Sequence, residues 1–175
     1  MAAQDQWFRT SQQRVVFANT LWQDLQAQYS DVNSADYWRQ RQQRMAYQYG
    51  IVEHLLLGAK NLSQAVLKQL ANTRFDNVLV MPWEQIEGLL LDQDYLSPEA
   101  QQILTQIQSG DWADLIGLHA QMDFSVIAKQ DEPTNHLIAT QVDNDLINPD
   151  HWPVERWIRD LRALQSSFRD SMGEW

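Results

Sequence analysis

The 175-residue chain contains no cysteine. That absence excludes disulfides, thiolate metal sites and cysteine nucleophiles together. Its 6 glycines and 5 prolines are scattered. No glycine-rich loop exists to cradle a phosphate, and no Gly-x-Ser-x-Gly elbow exists to present a nucleophilic serine. No stretch approaches the ~20 consecutive apolar residues that a membrane-spanning helix needs. The opening Met1-Ala2-Ala3-Gln4-Asp5-Gln6 lacks the basic and apolar regions of a secretory leader, so the cytoplasm is the expected address.

Positive charge is scarce where it matters most. Residues 75–155 carry one lysine, Lys129, against 15 acids, and the whole chain has a formal charge of −10. Residues 1–74 carry 8 Lys/Arg and 5 Asp/Glu, and residues 156–175 carry 4 Arg and 3 Asp/Glu. Nucleic acid and anionic membranes are both bound by neutralising negative groups. Neither is expected as a partner. The simpler reading is solubility, with basic early helices laid against the acidic middle.

What is present is helix grammar. Hydrophobic residues make up 44% of the chain, a globular value, and 175 residues bury roughly 70% of their surface on folding. Residues 6–28 carry Phe8, Val15, Phe17, Ala18, Leu21, Trp22 and Leu25 on a broad stripe. A second helix is expected over 35–71. Its Met45, Tyr49, Val52, Leu56, Ala59, Ser63, Val66 and Leu70 alternate steps of four and three. A straight helix of that length runs ~55 Å, against ~40 Å for the width of a compact globule of this size. It must therefore kink, at Gly50 or Gly58, or protrude, or belong to an elongated bundle. Val78 to Met81 reads as apolar chain plugging the bundle. Pro82 sits in the first turn of a helix over 83–91, and Ser97-Pro98-Glu99 starts another. Ser109-Gly110-Asp111 separates that helix from one over 112–122. Prolines fragment 123–152, and a last helix runs from near Pro153 to Gly173 with Val154, Trp157, Ile158, Leu161, Leu164, Phe168 and Met172 at helical spacing. The expected fold is an all-α, single-domain bundle of five or six helices over 1–175. The many glutamines are expected on solvent faces.

Candidate sites are sparse. His54, His119, His136 and His151 lie on separate segments, and no glutamate precedes a histidine by three, as di-iron bundles require. Asp143-Asn144-Asp145 starts like a calcium loop and fails at Ile147. No metal or other cofactor is expected. Glu84 with Glu87, Asp92 with Asp94, and Asp111 with Asp114 are acid pairs, two of them on first turns that favour acids anyway. Arg39, Arg41 and Arg44 interleave with Tyr37, Trp38 and Tyr47, but offsets of two and five spread them round a helix. The 8 tryptophans are read as pins at helix junctions, each indole N–H finding an acceptor, with an aromatic ligand groove as the alternative.

Three segments together carry a resemblance: Trp7-Phe8-Arg9-Thr10-Ser11-Gln12-Gln13-Arg14-Val15-Val16-Phe17-Ala18, Tyr47-Gln48-Tyr49-Gly50-Ile51-Val52-Glu53-His54-Leu55-Leu56-Leu57, and Phe168-Arg169-Asp170-Ser171-Met172-Gly173-Glu174-Trp175. The pattern resembles an uncharacterised family of short, all-helical bacterial proteins. The resemblance implies a bacterial, cytoplasmic bundle and brings no activity with it.

The leading functional expectation is a non-enzymatic interaction or assembly module. If the N-terminal end of the long helix projects, Tyr37, Trp38 and Met45 become an interface, most simply with a second copy in a homodimer. The rival expectation is a small-molecule-binding or hydrolytic enzyme with a site between the 123–152 loop and the bundle. It requires His54, His119 and Asp123 to converge in one pocket.

Overall fold

A computed structural model describes residues 6–29, 40–71, 81–92, 97–121 and 151–173. Its elements are α1 (Gln6–Tyr29), α2 (Arg41–Ala71), α3 (Trp83–Leu91), α4 (Pro98–Ser109), α5 (Asp111–Gln121) and α6 (Val154–Gly173). Among the described residues there is no strand, and the fold is an all-α helical bundle. Local chemistry sets the boundaries. Ser97 caps α4: its Oγ accepts from the Ala100 N–H at 3.1 Å, with Pro98 as first helical residue. Pro82 stands just outside α3, at its N-cap, rather than within the first turn, and its carbonyl accepts from the Ile86 N–H. Gly110 ends α4, and its carbonyl then accepts the first bond of the next turn, from the Ala113 N–H.

The long helix is the axis of the bundle. α2 packs on every other described helix, and Asn61 to Leu67 are buried without interruption. Seven consecutive buried residues span about two turns, so no face of that stretch is left for solvent. The heptad stripe is there: Val52, Leu56, Ala59, Ser63 and Val66 are buried. It is not the whole of the contact surface, because Ile51, Leu55, Leu62 and Leu67 are buried as well.

α2 is 31 residues long, about 46 Å at the helical rise. It passes through Gly50 and Gly58 as unbroken α-helix. The glycines mark close approach instead of a break. A Cβ at Gly58 would lie 3.3 Å from Leu161 Cδ2 and 3.4 Å from Arg14 Cβ. One at Gly50 would lie 3.1 Å from Leu21 Cδ1. A missing side chain lets α1 and α6 seat against the axis.

α1 runs antiparallel to α2, pairing Ser11 with Gly58, Arg14 with His54 and Tyr29 with Tyr47. α6 is antiparallel to α1: Phe8 packs on Phe168 with ring centroids 5.5 Å apart, while Trp22 reaches Glu155. Where these three helices meet, Ser11 is fully buried. Its Oγ donates to the Gly58 carbonyl at 2.7 Å and accepts from Gln165 Nε2 at 2.8 Å. Three elements are thus tied by two hydrogen bonds inside the core.

Several sequence expectations need correction. Gln48, Gln64 and Gln165 are buried, not on solvent faces. Phe17 is 41% exposed, its ring 5.4 Å from that of His54 at the edge of the α1–α2 seam. Trp112, Trp152 and Trp157 are buried, and Trp83 pairs with Trp112 as Trp152 does with Trp157. Trp157 Nε1, however, finds no hydrogen-bond partner among the described residues. Of the plug segment, Met81 is buried; Val78 to Val80 lie outside the described residues.

Candidate interaction groove

The residues singled out for an enzyme site do not converge. His54 sits on α2 facing α1, where Arg14 Nη1 donates to its Nδ1 at 3.1 Å. Burial first, and then the Arg14 charge, hold the imidazole below its usual pKa of 6.5, with Glu53 opposing. His54 is therefore a neutral acceptor near pH 7. His119, on α5, pairs with Glu53 at 2.9 Å, and both side chains are about half exposed. Consecutive residues on a helix point about 100° apart, so Glu53 and His54 send these two histidine contacts to different sides of α2. Asp123 lies outside the described residues. So do Tyr37 and Trp38 of the expected interface; Met45 is half-buried near the start of α2. Arg41 is exposed and Arg44 is buried, so these two arginines do not share a surface. Among the described residues no cluster of three or more His, Asp or Glu could hold a metal ion. None of the described helices is long and apolar enough to cross a membrane.

One acid pair is made by the fold rather than by helical spacing. Asp111 opens α5 and meets Asp160 of α6, with Arg156 Nη2 2.8 Å from Asp111 Oδ1. Burial pushes the Asp111 carboxyl up, its hydrogen bond to Asp160 reinforces this, and Arg156 offsets part of it. Burial opposes ionisation of Asp160 too. Hydrogen bonds from Arg159 and Asp111, with the charges of Arg159 and Arg156, outweigh it and hold Asp160 low. The fold thus sets two neighbouring carboxyls apart, Asp111 shifted upward and Asp160 downward. The sequence offered Asp111 with Asp114 instead, because local spacing carries no sign of a partner on α6.

The most distinctive surface lies between α1 and α6. At one end the helices are bridged by Ser11 and Gln165. Towards the other a cleft of about 550 Å³ opens, lined by Asn19, Trp22, Gln23 and Gln26 of α1 and by Glu155, Ile158, Arg159 and Arg162 of α6. Each wall is a face of offsets zero, three, four and seven, the register with which one helix meets another. Ile158 is buried and Trp22 half-buried, giving an apolar floor. Trp22 Nε1 donates a long hydrogen bond, 3.5 Å, to Glu155 Oε1 across the cleft. A second cleft of about 600 Å³ shares Trp22, Glu155 and Arg159 and continues past Trp152 and Pro153. Sequence periodicity placed Trp22 and Ile158 on apolar stripes. It gave no reason to expect the polar edges of those stripes to face each other.

Comparison with protein-family models, curated proteins and solved structures gives no match.

Proposed function

We propose that the protein is a non-enzymatic, cytoplasmic interaction module that receives a partner helix in the α1–α6 groove. The observation that carries this reading is the pairing of two helical faces around an apolar floor that neither helix fills. A third helix presenting residues at the same offsets would complete the packing, which is the helix-in-groove mode of recognition. Trp22 is the natural anchor contact, since a half-exposed indole offers large apolar area and a polar tip. The resemblance to short helical bacterial proteins is consistent with such a role and assigns no chemistry.

The test is to fill the groove. Gln23→Trp places a bulky side chain in the cleft from an exposed position, so helix content and thermal stability should be unchanged. Binding of amphipathic helical peptides, followed by anisotropy, should be abolished. Peptides that bind the filled variant as well as the original would end the groove reading.

A hydrolytic reading has one observation in its favour. Asp160, its carboxyl held low beside an Asp111 whose carboxyl is pushed up, lines a cleft of about 640 Å³ between α4 and α6. Unequal carboxyl pairs are the acid–base arrangement of many hydrolases. Turnover of a glycoside or ester by the protein, lost in Asp160→Asn, would move the function there.

A further inference from the structure

Resting on the groove reading, we infer that the partner helix is acidic, and that Arg159 and Arg162 are the residues that select it. The chain as a whole carries −10, yet the described lining of this groove holds more arginines than acids. Arg159 and Arg162 line it against the single acid Glu155, and Arg156 joins them along the continuation past Trp152. The facing α1 wall supplies Asn19, Gln23 and Gln26, all uncharged.

The arginines are available. Arg156 is committed to Asp111, though half its side chain is exposed. Arg159 is 72% exposed and, among the described residues, is bonded to its neighbour Asp160 at 3.0 Å. Exposed pairs of that kind contribute little and are readily exchanged. Arg162 is exposed and makes no ion pair among the described residues. A guanidinium offers a planar fork that matches a carboxylate in two-point contact, and such charge-assisted bonds are the stronger class.

Reach fixes the size of the ligand. From Pro153 to Arg162 the two clefts run along about nine helical residues, roughly 14 Å at the helical rise. That accommodates two to three turns of a partner. Its apolar residues at i and i+4 would rest on Trp22 and Ile158. Glutamates flanking them would face Arg159 and Arg162. A nucleic acid fits less well, since Glu155 stands in the middle of the positive edge and an acidic chain opposes its approach.

The experiment uses the full chain and labelled peptides of about 14 residues. One has leucine anchors flanked by glutamate, one has glutamine in place of each glutamate, and one has lysine. Oligothymidylate is the fourth probe. The glutamate peptide should bind at least about tenfold tighter than the glutamine peptide, the worth of one charge-assisted bond. That margin should shrink in Arg162→Gln, vanish in Arg159→Gln/Arg162→Gln, and fall with added salt. Melting curves confirm that these exposed substitutions leave the bundle intact. Equal binding of the glutamate and glutamine peptides, both lost on Gln23→Trp, would overturn the acidic partner while leaving the groove reading standing. Binding of no peptide would overturn both. Tighter binding of oligothymidylate, or self-association relieved by the double arginine variant, would assign the arginines to a nucleic acid or to a second copy and overturn the inference.

Discussion

Ser11→Ala removes one oxygen atom from a site that three helices share, and its cost can be worked out. Ser11 Oγ donates to Gly58 O at 2.7 Å and accepts from Gln165 Nε2 at 2.8 Å. Deleting it cancels two hydrogen bonds. The Gly58 carbonyl keeps its place in the helical ladder and is little affected. The Gln165 amide stays buried at 6% exposure and loses this acceptor. A net hydrogen bond contributes about 1 kcal/mol, and a buried donor stripped of its partner costs about 1–3 kcal/mol. The expected loss is therefore about 2–3 kcal/mol. For a chain of this size that lowers the melting temperature by roughly 5–10 °C.

Gln165→Met makes the contrasting perturbation. It removes the amide and keeps the volume, leaving the Ser11–Gly58 bond intact, so its cost should be below about 1 kcal/mol. The cycle is the decisive part. Once Gln165 is methionine, Ser11→Ala no longer strands a buried donor. The double variant should be more stable than the sum of the singles by about 1–2 kcal/mol. Urea unfolding of the four proteins, with a common slope, gives the coupling directly. A single-mutant cost under about 0.5 kcal/mol, or strictly additive losses, would mean that the buried junction does not bind the helices as argued.

The glycines should sort by what surrounds them. Gly88 and Gly117 are exposed mid-helix positions with nothing within 4 Å of an added Cβ, so each alanine replacement should stabilise by about 0.5–1 kcal/mol. Gly58→Val should instead cost more than about 2 kcal/mol, because Leu161, Arg14 and the Ser11 carbonyl already crowd that point; thermal melts read both. His54 should give stability a dependence on pH. Its folded pKa lies below 6.5, so as pH falls through about 6.5 the unfolded chain gains a proton that the folded chain refuses. Its contribution is full above the unfolded pKa and is lost as pH drops towards the folded one. His54→Gln, which can still accept from Arg14, should remove that part of the slope in unfolding curves on either side of about pH 6.5.

Helix identity and order were legible because their causes are local. The stripe in α6, the Ser97-Pro98-Glu99 start and the Gly110 break each act within a turn or two of chain, and all three stand where the spacing puts them. The same locality explains the failures. Length and spacing made the second helix look too long for a globule and made Gly50 and Gly58 look like hinges. The helix continues through both glycines unbroken, with the five other described helices packed on it, and the glycines provide room for neighbours.

Periodicity states which residues share a face and is silent on what that face meets. Ser11 and Gln165 are 154 residues apart, and only the packing of α1 on α6 decides that a glutamine belongs inside. The same packing pairs Asp111 with Asp160, separates His54 from His119, and sets Asn19, Trp22, Gln23 and Gln26 opposite Glu155, Ile158, Arg159 and Arg162. Local spacing accounts for the helices, their starts and stops and most of the apolar core, since burial of an apolar stripe stabilises it against almost any apolar neighbour. The polar junction and the groove were decided by tertiary structure alone. A hydrogen bond or a cleft needs particular atoms at particular distances, and those distances are set only when separate helices come to lie side by side.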